Sequence, residues 1–201
     1  AHVGTTMSEA RKPETPRNPQ QERQTARYGH DLRHDDAENA PSDGKRCDIC
    51  SRDVDLVYEG PVYSRRSGRP TICDECIASG RAADELDAMF TDLGGDGWED
   101  VPRAVKDEVL RCTPGFTGWQ QETWRAHCGD AMNFLGPVGH RELVGLGPEA
   151  VASLRRELTS WGWPADEVDD FISSLDRNDM PTAYAFRCRH CNEFEVYADF
   201  T

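Results

Sequence analysis

The sequence has little positive charge and no long apolar segment. Its 201 residues include 23 lysines and arginines against 37 aspartates and glutamates, which gives a formal net charge of −14. A chain this acidic repels phosphate backbones, so direct nucleic-acid binding is disfavoured. A membrane-spanning helix needs about 20 consecutive apolar residues, and neither such a run nor the apolar core of an export signal is present. The predicted location is therefore the cytoplasm.

Several motifs of enzymes and of secreted proteins are also missing. We find no Ser-His-Asp order of a serine hydrolase, no glycine-rich phosphate loop and no dinucleotide-binding fingerprint. The chain has eight cysteines but no export signal, which does not fit a secreted disulfide scaffold. In a reducing compartment, thiolates bound to metal are the simpler interpretation.

Six of the eight cysteines form Cys-x2-Cys pairs. The first two pairs, Cys47/Cys50 and Cys73/Cys76, have 22 residues between them. Because zinc prefers four soft ligands in a tetrahedron, two such pairs predict a closed structural zinc site made of these four cysteines. Four thiolates leave no position for water, so this site is predicted to be non-catalytic. A redox Cys-x2-Cys is the alternative, but this region lacks a thioredoxin-like pattern.

The third pair, Cys188/Cys191, needs ligands from elsewhere in the chain. The adjacent residues His127 and Cys128 are the best candidates, because Gly129 supplies the backbone freedom that joint ligation requires. We therefore predict a second zinc site made of His127, Cys128, Cys188 and Cys191. The alternative is a core histidine with ordinary buried cysteines.

Asp130 follows this cluster and has three possible roles. With an open metal position it could act as a base beside zinc-bound water. The simpler roles are to cap a helix that starts at Ala131 or to orient His127. Nearby, Trp119 and Trp124 have helical spacing and are predicted to be core residues.

The predicted fold class is α+β, with zinc knuckles of the treble-clef or zinc-ribbon type joined by helices. Residues 1–44 are polar and aperiodic, so they are predicted to be a disordered tail in which Met7 is the natural start. A domain over residues 45–201 follows, with an N-terminal knuckle to about residue 92, a helical middle over about 98–176 and a C-terminal knuckle hairpin over about 181–201. Local patterns predict a hairpin over 55–64, helices over 77–92, 101–111, 148–160 and 164–175, and strands over 183–187 and 193–200.

Several dense motifs in the ordered part resemble the CbrC family. They are YEGPVYS at 58–64, CDECIASGRAA at 73–83, RCTPGFTGWQQETWRAHCGDA at 111–131, FLGPVG at 134–139 and PTAYAFRCRHC at 181–191. The resemblance implies a small bacterial cytoplasmic protein. The namesake of that family is linked to a two-component regulon and to tolerance of colicin-type bacteriocins, so the resemblance implies such a role in outline.

These observations together predict a non-enzymatic zinc-binding protein that acts through protein contacts in stress or bacteriocin tolerance. The expected cofactor is Zn2+, and the acidic domain would suit a basic protein partner by electrostatic steering. One alternative is a zinc-dependent hydrolase that uses the second metal site. A further alternative is a zinc-ribbon regulator that binds nucleic acid.

Overall fold

A computed structural model describes residues 39–41 and 44–200, which form a mixture of helices and small antiparallel sheets. The α+β class is confirmed in this general form. Most of residues 1–44, predicted to be a disordered tail, lies outside the described residues. Strand β1 (Asn39–Pro41) is the described strand within that predicted tail. Within the described part of the chain, no helix has the length and apolar character needed to cross a membrane.

The N-terminal part contains two small sheets. Strand β1 pairs with β2 (Leu56–Tyr58), and β3 (Tyr63–Ser64) pairs with β4 (Ala88–Met89). The predicted hairpin over 55–64 is therefore wrong, because its two strands pair with distant segments and not with each other. The Tyr58 N–H donates to the Ile72 carbonyl at 2.9 Å, so the end of β2 is also paired with a residue outside the predicted hairpin.

The predicted helix over 77–92 is interrupted. The structure has two short helices, α1 (Asp74–Ala78) and α2 (Arg81–Leu86), followed by β4. Gly80 lies between them with φ of 73°, a left-handed conformation that glycine adopts at little steric cost. This residue ends the first helix and begins the second one in a new direction.

The middle of the chain begins with helix α3 (Arg103–Cys112), close to its predicted bounds, with Pro102 at its N-cap. No helix follows over residues 119–127, so the helical interpretation of the two tryptophans is wrong. Trp124 is fully buried as predicted, whereas Trp119 is 48% exposed. The Trp124 N–H donates to the Asp92 carbonyl at 2.8 Å and not to residue 120 as in a helix, while the carboxylate of Asp199 accepts the Trp119 N–H at 2.7 Å.

The C-terminal part is a three-stranded antiparallel sheet with three helices. Before this sheet in the chain, β5 (Ala126–His127) pairs with β6 (Asp130–Ala131). The sheet itself has the strand order β7 (Asn133–Val138), β8 (Thr182–Arg187), β9 (Phe194–Asp199), and the predicted hairpin and final two helices are present close to their predicted bounds. Strand β7 and the first of the helices were not predicted. The helices are α4 (His140–Leu146), α5 (Pro148–Ser160) and α6 (Ala165–Ser174).

Both faces of this sheet are buried. Alternation along β8 directs Tyr184 and Phe186 into an aromatic core with Phe116 and Trp124, while Ala183 and Ala185 face the aliphatic core under the helices. Because one sheet joins the two cores, the turn between β8 and β9 is held firmly relative to the middle of the chain. That turn carries the third cysteine pair.

Candidate metal centres

The first cysteine pair lies in a closed turn. The Cys47 carbonyl accepts the Ser51 N–H at 2.8 Å, and the Cys47 N–H donates to the Arg52 carbonyl at 2.9 Å. Ser51 has a φ of 58°, which reverses the chain directly after Cys50. Both thiols consequently point to the same side of the turn.

The second pair belongs to the start of a helix. Cys73 is the N-cap of α1, and Cys76 lies within its first turn. The Sγ atoms of Cys47 and Cys76 are 3.8 Å apart, as are those of Cys50 and Cys73. Two sulfurs on one tetrahedral zinc ion would lie about 3.8 Å apart, given Zn–S distances of about 2.3 Å. The four thiols therefore have the spacing of a tetrahedral metal site.

Asp48 ties the two halves of this first cluster together. Its carboxylate accepts the Thr71 N–H at 2.7 Å, and its own N–H donates to the Thr71 carbonyl at 2.8 Å. Thr71 lies two residues before Cys73, so these bonds join the first cysteine turn to the second. Three of the four cysteines are buried, so the cluster is part of the N-terminal core.

The electrostatics of the first cluster favour a bound cation. Burial raises the pKa of Cys50, but hydrogen bonds from Arg52, together with those of Cys47 and Cys76, outweigh this effect and lower that pKa to about 6. Burial also raises the pKa of Cys73, to about 11, and that of Cys76. The raised pKa values show that ionisation of Cys73 and of Cys76 is disfavoured by burial, and a bound cation would offset this effect.

The second cluster combines two hairpin turns. His127 and Cys128 lie where β5 (Ala126–His127) turns into β6 (Asp130–Ala131). Cys128 and Gly129 have φ values of 53° and 70°, so both central residues of this two-residue turn have the positive φ of a type I′ hairpin. This conformation places the imidazole and the thiol on one side of the hairpin.

The Cys188–Cys191 turn repeats the backbone pattern of the first knuckle. The Cys188 carbonyl accepts the Asn192 N–H at 3.1 Å, and the Cys188 N–H donates to the Glu193 carbonyl at 2.8 Å. Asn192 has a φ of 65° and takes the place that Ser51 occupies in the first turn. The two knuckles thus share one local geometry, although their partners differ.

The structure brings His127, Cys128, Cys188 and Cys191 together. Their four ligand atoms all lie within 4.8 Å of one another. His127 Nδ1 is 3.2 Å from Cys128 Sγ and 3.4 Å from Cys191 Sγ. Tetrahedral zinc with Zn–N of about 2.0–2.1 Å and Zn–S of about 2.3 Å would place these atoms about 3.5 Å apart. This set can therefore hold a metal ion, although Cys128 and Cys191 are exposed.

Asp130 contacts the two residues that lie between Cys188 and Cys191 in the second cluster. Its Oδ2 accepts hydrogen bonds from His190 Nε2 at 3.0 Å and from Arg189 Nη1 at 3.2 Å. Asp130 lies in strand β6 and caps no helix, and Glu193 is a charged neighbour of His127, at 3.6 Å from Nε2. The helix-capping role predicted for Asp130 is thus wrong, and the role of orienting His127 stays a prediction. Asp130 fastens the two residues between Cys188 and Cys191 to the β5–β6 hairpin.

Cys112 and His140 also carry groups that can bind a metal, but both residues lie outside the two clusters. Cys112 ends α3, and its Sγ would lie 3.2 Å from a Cβ added at Gly80. Burial raises the pKa of Cys112. His140 begins α4, where its Nδ1 is 3.0 Å from the Ile172 carbonyl.

An open cleft of about 430 Å³ adjoins His127, and sequence reasoning missed it. The cleft is bordered by Arg125, Glu157 and Glu195. The Arg125 guanidinium lies 3.6 Å from the Glu157 carboxylate. Burial raises the pKa of Glu157 to about 7, against the lowering effect of the Ala198 N–H and of Arg125. No local sequence pattern predicts this cleft, because its walls include residues of α5, of β9 and of the segment before β5, which are far apart in the sequence.

The sequence was compared with known proteins. A family model described as "Uncharacterised protein family (UPF0167)" matches residues 34–200. The chain is 48% identical over 159 residues to UPF0167 proteins of Mycobacterium bovis and Mycobacterium tuberculosis, which covers 79% of this chain and 84% of each relative. It is 35% identical over 156 residues to a UPF0167 protein of Pseudomonas aeruginosa, which covers 77% of this chain and 86% of the relative. No solved structure matches.

Proposed function

The chain belongs to the UPF0167 family, and on that premise we propose that it is a two-zinc protein whose ions are structural and which acts by contacting other proteins. The observation that carries this proposal is the second cluster. Four ligand atoms from two separate hairpins lie within 4.8 Å of one another there. A complete ligand set of this kind is typical of a structural zinc site.

Zinc is the proposed ion at both positions. Thiolates select soft or borderline metals, and tetrahedral sets of four Cys or three Cys and one His are the common structural zinc sites. The first cluster joins a knuckle to a helix N-terminus, which is the arrangement of a treble clef. The second joins two hairpin turns, which is the arrangement of a zinc ribbon. Each ion would link segments far apart in sequence and contribute to the folding free energy.

The geometry supports a structural role for the second ion better than a hydrolytic one. A catalytic zinc keeps one position open for water, whereas four protein ligands fill the tetrahedron. Asp130, the candidate base, is engaged by Arg189 and His190. A carboxylate held in this way positions the knuckle and is not free to activate water.

The proposed partner is a basic protein. The formal net charge of −14 favours association with a positively charged surface. A regulator that binds nucleic acid would need the opposite charge. The motif likeness to the CbrC family is what supports a role in tolerance of stress or of colicin-type bacteriocins.

Metal analysis of purified protein tests the structural part of the proposal. We expect two zinc ions per chain, one after Cys73→Ser and one after Cys191→Ser. Cys112→Ser is the matched control, because this cysteine lies outside both clusters, and it should retain two ions. X-ray absorption that finds three protein ligands and a water on the second zinc would overturn the structural assignment in favour of the hydrolase.

A further inference from the structure

Four aromatic side chains meet where α5 leads into α6, beside the end of β9. They are Trp161, Trp163, Phe171 and Phe200, and we call them the aromatic face. The ring centroids of Trp163 and Phe171 are 5.2 Å apart, as are those of Phe171 and Phe200. Trp161 lies 6.4 Å from Trp163 and 6.0 Å from Phe200. The four rings therefore form one continuous apolar surface.

This surface is partly exposed to solvent, while Trp163 and Phe171 also pack against the aliphatic core. Trp161 is 48% exposed, and the other three rings are half-buried. Trp161 lies directly after the last turn of α5, at the C-cap, so its ring stands at the edge of the helical layer. Clustered exposed aromatics on a rigid scaffold are typical of protein-binding sites, and tryptophan is the residue most enriched among binding hot spots.

The chain around the aromatic face is mainly acidic, although Arg155 at one edge of this region pairs with Asp169 on α6. Residues 157–176 contain six aspartates and glutamates and no lysine or arginine. Residues 192–200 contain three acidic residues and again no lysine or arginine. Glu167 lies one turn before Phe171 on α6, so its carboxylate borders the rings on the same side of the helix.

We propose that the aromatic face docks a segment of a partner protein that carries apolar side chains among lysines and arginines. The proposal rests on the proposed function and names the surface through which the basic partner is contacted. The apolar side chains would cover Trp161 and its neighbours, while the basic ones would face the acidic border. Two copies of this chain would instead bring like charges together, and an anionic membrane surface would be repelled.

Three synthetic peptides probe this surface. The first is a helical peptide with a leucine stripe on one side and lysine elsewhere, the second has the same composition without the stripe, and the third carries glutamate in place of lysine. Binding to the zinc-loaded full chain is measured by fluorescence anisotropy at low and moderate salt. The Trp161→Ala variant is compared with Trp119→Ala, since both side chains are 48% exposed and Trp119 lies outside the aromatic face.

The lysine peptide with the leucine stripe should bind most tightly of the three, and added salt should weaken this binding. Trp161→Ala should weaken it about tenfold or more, as for loss of a hot-spot tryptophan, while Trp119→Ala should leave it within about twofold. A double variant, Glu167→Gln with Asp170→Asn, should reduce the salt dependence. Unchanged circular dichroism and zinc content establish that the variants fold.

Each contrary outcome has a separate meaning. Equal binding of the striped peptide to wild type and Trp161→Ala would overturn the aromatic face while leaving a basic partner in place. If neither lysine peptide binds, both the docking role of the aromatic face and the proposal of a basic partner are wrong. The proposal of two structural zinc ions is tested separately by metal analysis. Self-association that Trp161→Ala abolishes would overturn the proposal by identifying the face as an interface between copies.

Discussion

Replacing Asp130 by asparagine should loosen the second metal site without removing a ligand. Asparagine keeps the shape of the side chain and its bond to the Ala131 N–H, which is 2.9 Å long in the structure. It removes the negative charge that Arg189 and His190 contact. The knuckle between Cys188 and Cys191 would then lose its charged link to the β5–β6 hairpin.

The size of the effect follows from the contact geometry. At the 3.2 Å between Arg189 Nη1 and Asp130 Oδ2, two charges attract by about 1.3 kcal/mol at the dielectric constant of water and by about 5 kcal/mol at an effective value of about 20. The side chains are 30% and 15% exposed, so solvent screens much of this attraction. With the histidine bond added, a loss of about 1.5–2 kcal/mol is reasonable, which corresponds to about tenfold to thirtyfold in an equilibrium constant.

The assay is competition for zinc with a chromophoric chelator, resolved into two binding steps. We expect the second ion to bind about tenfold to thirtyfold more weakly in Asp130→Asn, and the first ion to bind as in the wild type. Asp179→Asn is a matched control, because the Asp179 carboxylate also accepts the N–H of the next residue, at 2.8 Å, away from both clusters. Wild-type affinity of the second ion in a folded Asp130→Asn protein would refute the reasoning that this carboxylate fastens the knuckle.

Three further predictions concern stability, measured by chemical unfolding of the zinc-loaded protein. Burial raises the pKa of Glu157 from 4.5 to about 7 in the folded protein, so the stabilisation from its protonated carboxyl is fully present below pH 4.5 and is lost as the pH rises through about 7. Over that pH range the free energy of unfolding of the wild type should fall by up to about 3 kcal/mol relative to Glu157→Gln. Parallel pH profiles of the two proteins would contradict this prediction. Gly115→Ala should lower the free energy of unfolding by about 3 kcal/mol or more, since the new Cβ would lie 1.8 Å from the Phe90 carbonyl oxygen. Gly145→Ala in α4 is the control and should stabilise the protein, because no atom lies within 4 Å of its new Cβ. Equal effects of the two substitutions would contradict this prediction. Phe116→Ala should cost about 3–5 kcal/mol, because its buried ring stacks on Phe134 at 4.0 Å; a loss below about 1 kcal/mol would show that the aromatic core collapses around the gap.

Local signals were sufficient for much of the C-terminal half. Proline at the start of α5 and before α6, together with apolar residues at helical spacing, predicted both helices. Strands β8 and β9 were predicted because residues with strand propensity flank the Cys188–Cys191 turn. In each of these elements the local preference and the tertiary environment agree.

Predictions failed where long-range pairing overrode the local pattern. The segment over 55–64 alternates like a hairpin, but β2 and β3 each pair with a strand from elsewhere. The helical spacing of Trp119 and Trp124 was misleading, because the Asp92 carbonyl accepts the Trp124 N–H that a helix would direct to residue 120, and Asp199 binds the start of the segment. Those partners are distant in sequence, so no local window contains them.

The sequence by itself determined which side chains could bind a metal in pairs. Two cysteines with two residues between them converge through turn geometry, which depends only on the adjacent backbone. Only the tertiary structure decided which pairs meet. The Cys188–Cys191 turn lies beside His127 because β8 joins two cores in one sheet and Asp130 fastens the turn across that distance. Such contacts depend on long-range packing, which a local residue pattern does not encode.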